Sequence, residues 1–227
     1  MGHLRFRSIF AVLILCLPAS AVLADATILT DSSFGSTAAV AKIDVVESGN
    51  DLNFTVTMVG IQGDLRGFFF NVVNPNLLSD LAISGPHVTS TQLSLNGVSN
   101  LGNGANINPA GPFDVGIEFG TPGIGTDDLN SVTFTLHSTG LFSGITNLDL
   151  EDLLAISPNP DHPLTFGVRA TSVGANRDGS SKFGALSPVP EPASVLTWFA
   201  LSSVAALVRL RRSKSDGPEI ASGNVAC

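Results

Sequence analysis

Between residues 25 and 187 the chain is a succession of short period-two runs separated by Gly, Asn, Pro and Asp, a pattern that points to an all-β fold. In Leu52-Asn53-Phe54-Thr55-Val56-Thr57-Met58, the residues Leu52, Phe54, Val56 and Met58 share one face and Asn53, Thr55 and Thr57 the other, as in a half-buried strand. The same parity sets Phe113, Val115, Ile117 and Phe119 against Asp114, Gly116 and Glu118, and Val132, Phe134 and Leu136 against Thr133, Thr135 and His137. Each of these strands is expected to cover the core with one face only. Leu164 to Ala170 repeats the alternation, but Val173 falls on the opposite parity, which predicts a bulge or strand end near Ser172. The run Phe68-Phe69-Phe70-Asn71-Val72-Val73 is apolar on both faces and is expected in a central strand whose outer face is covered.

Turn chemistry divides the runs. Ser48-Gly49-Asn50-Asp51 predicts a hairpin between a strand around Ile43 and Val45 and the one starting at Leu52. Asn96 to Pro112, rich in Gly and Asn, reads as a long exposed loop. One short helix is expected with Asp149 as N-cap, Asp152 three residues on and Leu150, Leu153 and Leu154 on one side, ended by Ser157-Pro158. The expected body is an antiparallel β-sandwich, jelly-roll or Ig-like, over residues 25–173. Residues 174–187 form a linker or, through Gly179 to Gly184, a final edge strand.

The two ends speak of export. His3, Arg5 and Arg7 precede an apolar stretch from Ile9 to Leu17, and Val22-Leu23-Ala24 offers small residues for cleavage between Ala24 and Asp25, so residues 1–24 read as a secretory signal peptide. Leu13, Ile14 and Leu15 before Cys16 do not make a lipoprotein site, and no twin arginine is present. At the other end Val189-Pro190-Glu191-Pro192 leads into an uncharged, mostly apolar run, Ala193 to Val208, followed by Arg209, Arg211, Arg212 and Lys214. As a single transmembrane helix, residues 193–208 reach about 24 Å at about 1.5 Å per residue, short of a hydrocarbon core of about 30 Å, so the arginines must snorkel or the bilayer thin. The basic cluster stays on the cytoplasmic side, which leaves residues 213–227 as a cytoplasmic tail and everything before Pro190 outside.

A stiff Pro-Glu-Pro, a short apolar span and an immediate arginine cluster, in that order over residues 188–212, resemble the PEP-CTERM sorting signal of Gram-negative surface proteins. The resemblance implies two processing partners, signal peptidase and a membrane-embedded cysteine transpeptidase of the exosortase type that cuts near Pro-Glu-Pro. It implies an inner-membrane-anchored precursor facing the periplasm, a final location at the cell surface or outside the cell, and the company of exopolysaccharide. The body, with Phe113-Asp114-Val115-Gly116-Ile117-Glu118-Phe119-Gly120, Gly123-Ile124-Gly125-Thr126-Asp127-Asp128, Phe166-Gly167-Val168-Arg169 and Gly179-Ser180-Ser181-Lys182, is also similar to a sequence type found in that group, which implies a location and a fold but no reaction.

Charge and composition narrow the partners. Residues 25–187 hold sixteen Asp and Glu against five Lys and Arg, a formal charge of −11 that repels nucleic acid and anionic lipid. The two cysteines, Cys16 and Cys227, fall outside the body, so no disulfide braces it. Tyrosine is absent and the single tryptophan, Trp198, lies in the apolar run, so phenylalanine alone is left in the body to stack on sugars.

Candidate chemistry is sparse. A glycosidase needs two carboxylates across a cleft, and Glu118, Asp127 and Asp128 are near in sequence, but Glu118 has outward parity and the two aspartates follow a Gly-rich turn. Calcium suits clustered acids, with Asp127 and Asp128 as the candidate ligands and Asp149, Glu151 and Asp152 as a second place. His87, His137 and His162 are isolated, no G-x-S-x-G occurs, and the Gly120–Gly125 loop lacks the Lys-Ser/Thr of a phosphate cradle. Three functions follow as expectations: a non-enzymatic exported surface or matrix protein with no required cofactor, a glycan-binding or adhesion module with exposed Phe beside Asn96–Pro112 and calcium as a stabiliser, and a secreted hydrolase built on Glu118.

Overall fold

The structure, a computed structural model, describes residues 25–30, 32–108, 110–121 and 127–186. The signal peptide with Ala24, the Val189–Pro192 motif, the apolar run, the basic cluster and the tail lie outside the described residues. No helix among the described residues is long and apolar enough to cross a membrane.

The strands are β1 (Asp25–Leu29), β2 (Ser32–Ser33), β3 (Val40–Ser48), β4 (Asp51–Val59), β5 (Asp64–Phe70), β6 (Leu81–Ser84), β7 (Val88–Val98), β8 (Phe113–Phe119), β9 (Ser131–Ser138), β10 (Phe166–Val173) and β11 (Gly179–Ala185), with 3₁₀ turns at Pro75–Ser79 and Leu150–Leu153. They form two antiparallel sheets, one ordered β1-β3-β4-β9-β6 and the other β2-β11-β10-β5-β8-β7. The sheets pack face to face. Phe54 on β4 and Phe134 on β9 meet Phe68 on β5 at ring distances of 5.7 and 5.3 Å, and Phe134 also meets Phe119 on β8 at 5.5 Å.

The first sheet follows its sequence pattern because only one of its faces is covered. In β4 the residues Leu52, Phe54, Val56 and Met58 are buried while the alternate Asn and Thr are half-exposed, and β9 buries Val132, Phe134 and Leu136. Ser48 pairs with Asp51 across the expected two-residue hairpin, whose Gly49 takes φ +65°. In the second sheet β10 shifts register between Thr171 and Val173, with Ser172 at φ +51°.

The second sheet departs from its pattern because both of its faces are covered. Every residue of β5 and β8 is buried, and β10 is buried on both faces too, against the expectation of half-exposed strands over 113–119 and 164–170. The cover is the segment expected to be an exposed loop. Asn96 to Val98 continue β7, and Ala105, Ile107 and Ala110 are buried in a second cluster with Phe69, Val98, Phe113 and Leu164 or against its sheet. Phe113 therefore joins the outer cluster and not the face of Val115, Ile117 and Phe119, having passed the end of β5, whose Phe70 pairs with Val115. Gly116 makes the cover possible: a Cβ there would lie 2.7 Å from Val98 Cγ1. The expected helix is the 3₁₀ turn Leu150–Leu153, and residues 179–185 form β11 between β2 and β10.

Candidate functional site

The five cations of the body are bonded to its own carbonyls and carboxylates. Arg66 on β5, almost fully buried, donates from Nη2 to Glu118 Oε1 at 3.2 Å and to the Asn103 carbonyl at 3.5 Å. Arg169 on β10 donates from Nε to the Gly104 carbonyl at 3.1 Å and from Nη1 to the Ser181 carbonyl at 3.2 Å, and Lys182 on β11 donates to the Asn108 carbonyl. Three basic side chains thus latch residues 103–108 onto the second sheet. Burial lowers the pKa of both Arg169 and Lys182, and the charge of Arg169 adds to the effect on Lys182. Arg177 engages both carboxylate oxygens of Asp128, and Lys42 pairs with Asp44 at 2.7 Å.

Glu118 has outward parity, as expected, but it is buried beneath the cover and neutralised by Arg66. Asp127 Oδ2 accepts the Thr121 N–H at 2.6 Å, whereas Asp128 turns to Arg177, so the two aspartates serve different partners. Asp64, close to Asp127, accepts from the Leu129 N–H at 3.2 Å, and burial pushes its carboxyl above the usual range. At the second expected place the Asp149 N–H donates to Asp152 Oδ2 at 3.1 Å, an internal cap of the 3₁₀ turn. No group of three His, Cys, Asp or Glu among the described residues is placed to hold a metal. The histidines stay apart: His137 Nδ1 lies 2.6 Å from Asp51 Oδ1, and the His162 ring stacks 4.8 Å from Phe34.

Two features had no sequence signal. On the open face of the first sheet, Asn53, Thr55, Ser84, Thr133 and Thr135, with Pro86 at one side, line a shallow groove of about 270 Å³. Thr135 Oγ1 donates to Asn53 Oδ1 at 2.8 Å, so part of its polar lining is internally bonded.

The second is Asp80, buried between the first 3₁₀ turn and β6. Its carboxylate accepts from Thr139 Oγ1 at 2.8 Å, from the Phe142 N–H at 3.1 Å, and from the N–H and Oγ of Ser143 at 2.7 and 2.6 Å. The Thr139 N–H returns a bond to the Asp80 carbonyl at 3.1 Å. Ser138 Oγ closes the turn onto the Ile145 carbonyl at 2.6 Å. One carboxylate therefore organises residues 139–143, and Leu141 and Phe142 at the tip are 78% and 67% exposed. Burial alone would raise the Asp80 pKa, but the hydrogen bonds from Ser143, Thr139 and Phe142 outweigh it and hold the carboxyl well below the usual carboxylate range.

A depressed pKa in the folded state stabilises the fold above the unfolded value of about 4 and is lost as pH falls below it. Asp80→Asn, which turns an amide NH₂ toward three donors, is expected to lower Tm by more than about 5 °C at neutral pH. The gap between variant and parent should narrow as the pH is taken below about 4. A gap independent of pH in thermal melts would show that the charge of Asp80 does not hold the turn.

Comparison with protein-family models, with curated proteins and with solved structures finds no match to this chain.

Proposed function

We propose that this protein is an exported, non-enzymatic β-sandwich of the cell surface or extracellular matrix, delivered by its signal peptide, held for a time by residues 193–208 and cut near Val189-Pro190-Glu191-Pro192. The observation that carries this reading is the fixed order of Pro-Glu-Pro, apolar run and basic cluster behind a body that begins at a signal-peptidase site. The bonding of the body supports it. A hydrolase of the kind considered would need Glu118 and Asp127 or Asp128 free in a cleft, and Arg66 and Arg177 occupy Glu118 and Asp128. With its cations bonded internally, the surface is left acidic and suited neither to nucleic acid nor to anionic lipid.

Replacing Pro190, Glu191 and Pro192 together by alanine should leave the body membrane-bound with its C-terminal segment attached, in cells where the parent chain is cut. Cutting of the triple variant at the parent rate, followed by blotting of fractions, would remove the motif from the account. In the same reading the body needs no cation, because Arg177 supplies the charge that calcium would bring to Asp128. Chelation should leave Tm within about 1 °C of its starting value, and a drop of more than about 5 °C would establish a cation site.

A second reading, a glycan-binding or adhesion module, is favoured by the uncharged groove of Asn53, Thr55, Ser84, Thr133 and Thr135, whose donors and acceptors suit a neutral sugar. It lacks the expected stacking surface. Nine of the eleven phenylalanines among the described residues are buried, and the exposed one, Phe142, lies on the turn after β9 and not within residues 96–112.

A further inference from the structure

The strands run between two poles, and the pole at which the chain leaves the fold carries an apolar tip. There β3 turns into β4 at Gly49-Asn50, β9 ends at Ser138 opposite Leu81 of β6, β5 ends at Phe70 opposite Phe166, and Phe166 pairs with Ala185 at the end of β11. Both sheets share this pole, since the Leu150 N–H reaches Glu47 Oε1 at 3.4 Å and the Val73 N–H reaches the Asp152 carbonyl at 2.8 Å. Exposed apolar side chains stand in the segments that follow the strand ends at it, among them Val73, Leu141, Phe142, Ile156 and Leu186. Leu141 and Phe142 are the most exposed large apolar residues described, and Asp80 fixes the backbone that presents them.

Only six residues, 187–192, separate Leu186 from the first residue of the apolar run, Ala193. Fully extended they reach at most about 25 Å, so a body anchored by that run keeps this pole close to the bilayer whatever its tilt. An exposed Leu-Phe pair on an ordered turn, held at that distance, meets the lipid interface at high effective concentration. The charged side chains at this pole include Glu47, Asp51, Asp80, Asp149, Glu151, Asp152 and Asp161, all acidic, with His137 paired to Asp51, which makes a zwitterionic surface the fitting one and an anionic surface repulsive.

We infer that the Leu141-Phe142 turn is a membrane-seating element, which enters the interface of a zwitterionic bilayer beside the anchor and holds the body with its exit pole, and hence Val189–Pro192, toward the lipid. This rests on reading residues 193–208 as a membrane segment. The full chain, uncut, is placed in vesicles of phosphatidylcholine with brominated acyl chains. In the parent, Trp198 is the single tryptophan and reports the anchor. In a Trp198→Phe background, Phe142→Trp reports the turn and Leu29→Trp, at the far end of β1, reports the opposite pole.

Quenching of Trp198, together with quenching at position 142 at least about twofold above that at position 29, is the expected result. Equal quenching at 142 and 29 while Trp198 is quenched overturns the seating element and leaves the anchor standing. An unquenched Trp198, with the chain released by carbonate, overturns the membrane-segment reading and the seating element with it.

Discussion

Glu118→Ala is expected to remove about 3–5 kcal/mol from the unfolding free energy of the body, among the largest effects open to a single substitution in it. Glu118 on β8 and Arg66 on β5 sit on neighbouring strands beneath residues 99–112, with side chains 5% and 1% exposed. Their bond, Nη2 to Oε1 at 3.2 Å, is the one charge-to-charge contact that Arg66 makes among the described residues, and its Nε and Nη1 are buried without a partner. Removing the carboxylate leaves a buried guanidinium without its bonded counter-charge, with only the Asn103 carbonyl and the more distant Asp64 to compensate, and the body has no disulfide to absorb the loss. Glu118→Gln keeps an acceptor without the charge and should cost less. The double variant Arg66→Met, Glu118→Leu should recover most of the loss, because a buried pair is often no more stabilising than apolar residues of similar volume. Urea unfolding of the parent, Arg66→Met, Glu118→Leu and their double variant closes the cycle and gives the coupling directly. A cost below about 1 kcal/mol for Glu118→Ala would mean that the cover opens and lets water reach Arg66.

Phe68→Ala should cost a similar amount, about 3–5 kcal/mol, by a different route. The Phe68 ring meets Phe54, Phe70, Phe134 and Phe166 at 5.7, 6.1, 5.3 and 5.5 Å, so it ties β4 and β9 of one sheet to β10 and its own strand in the other. Truncation removes the ring's transfer energy and opens a void between layers whose strands cannot close independently. Phe68→Leu should cost less, and Phe142→Ser, on the exposed turn, within about 0.5 kcal/mol. In a domain whose total stability is about 5–15 kcal/mol, Phe68→Ala shifts the urea midpoint by a large fraction of its value. An effect of Phe68→Ala no larger than that of Phe142→Ser would contradict a core shared by the two sheets.

What could be read from residues alone was local. The alternation in β4 and β9 gave the correct faces because water lies on one side of them, and the Gly49 hairpin and the Asp149–Asp152 cap depend on neighbours within a few positions. Alternation reports polarity, however, and polarity parts from burial where a sheet is covered twice. Asp114, Gly116 and Glu118 look outward in sequence, yet Asp114 is buried accepting the Val72 and Asn96 N–H groups, Gly116 makes room for Val98, and Glu118 is buried on Arg66. The cover itself had a faint signal in Ala105, Ile107 and Ala110, hidden among glycines and asparagines that usually mark solvent-facing loops. Asp80 had none, since its donors lie 59 to 63 residues away and no spacing rule reaches that far.

The most direct test of the proposed processing is the intact mass and cell fraction of the native protein, in cells with and without an exosortase-type transpeptidase. A body that begins at Asp25 and stops near Pro190 is expected at the surface or in the medium when such an enzyme is active, and a membrane-held form that keeps its C-terminal segment when it is removed. A chain that retains Trp198 to Cys227 in the membrane of cells with active exosortase would contradict the proposed processing.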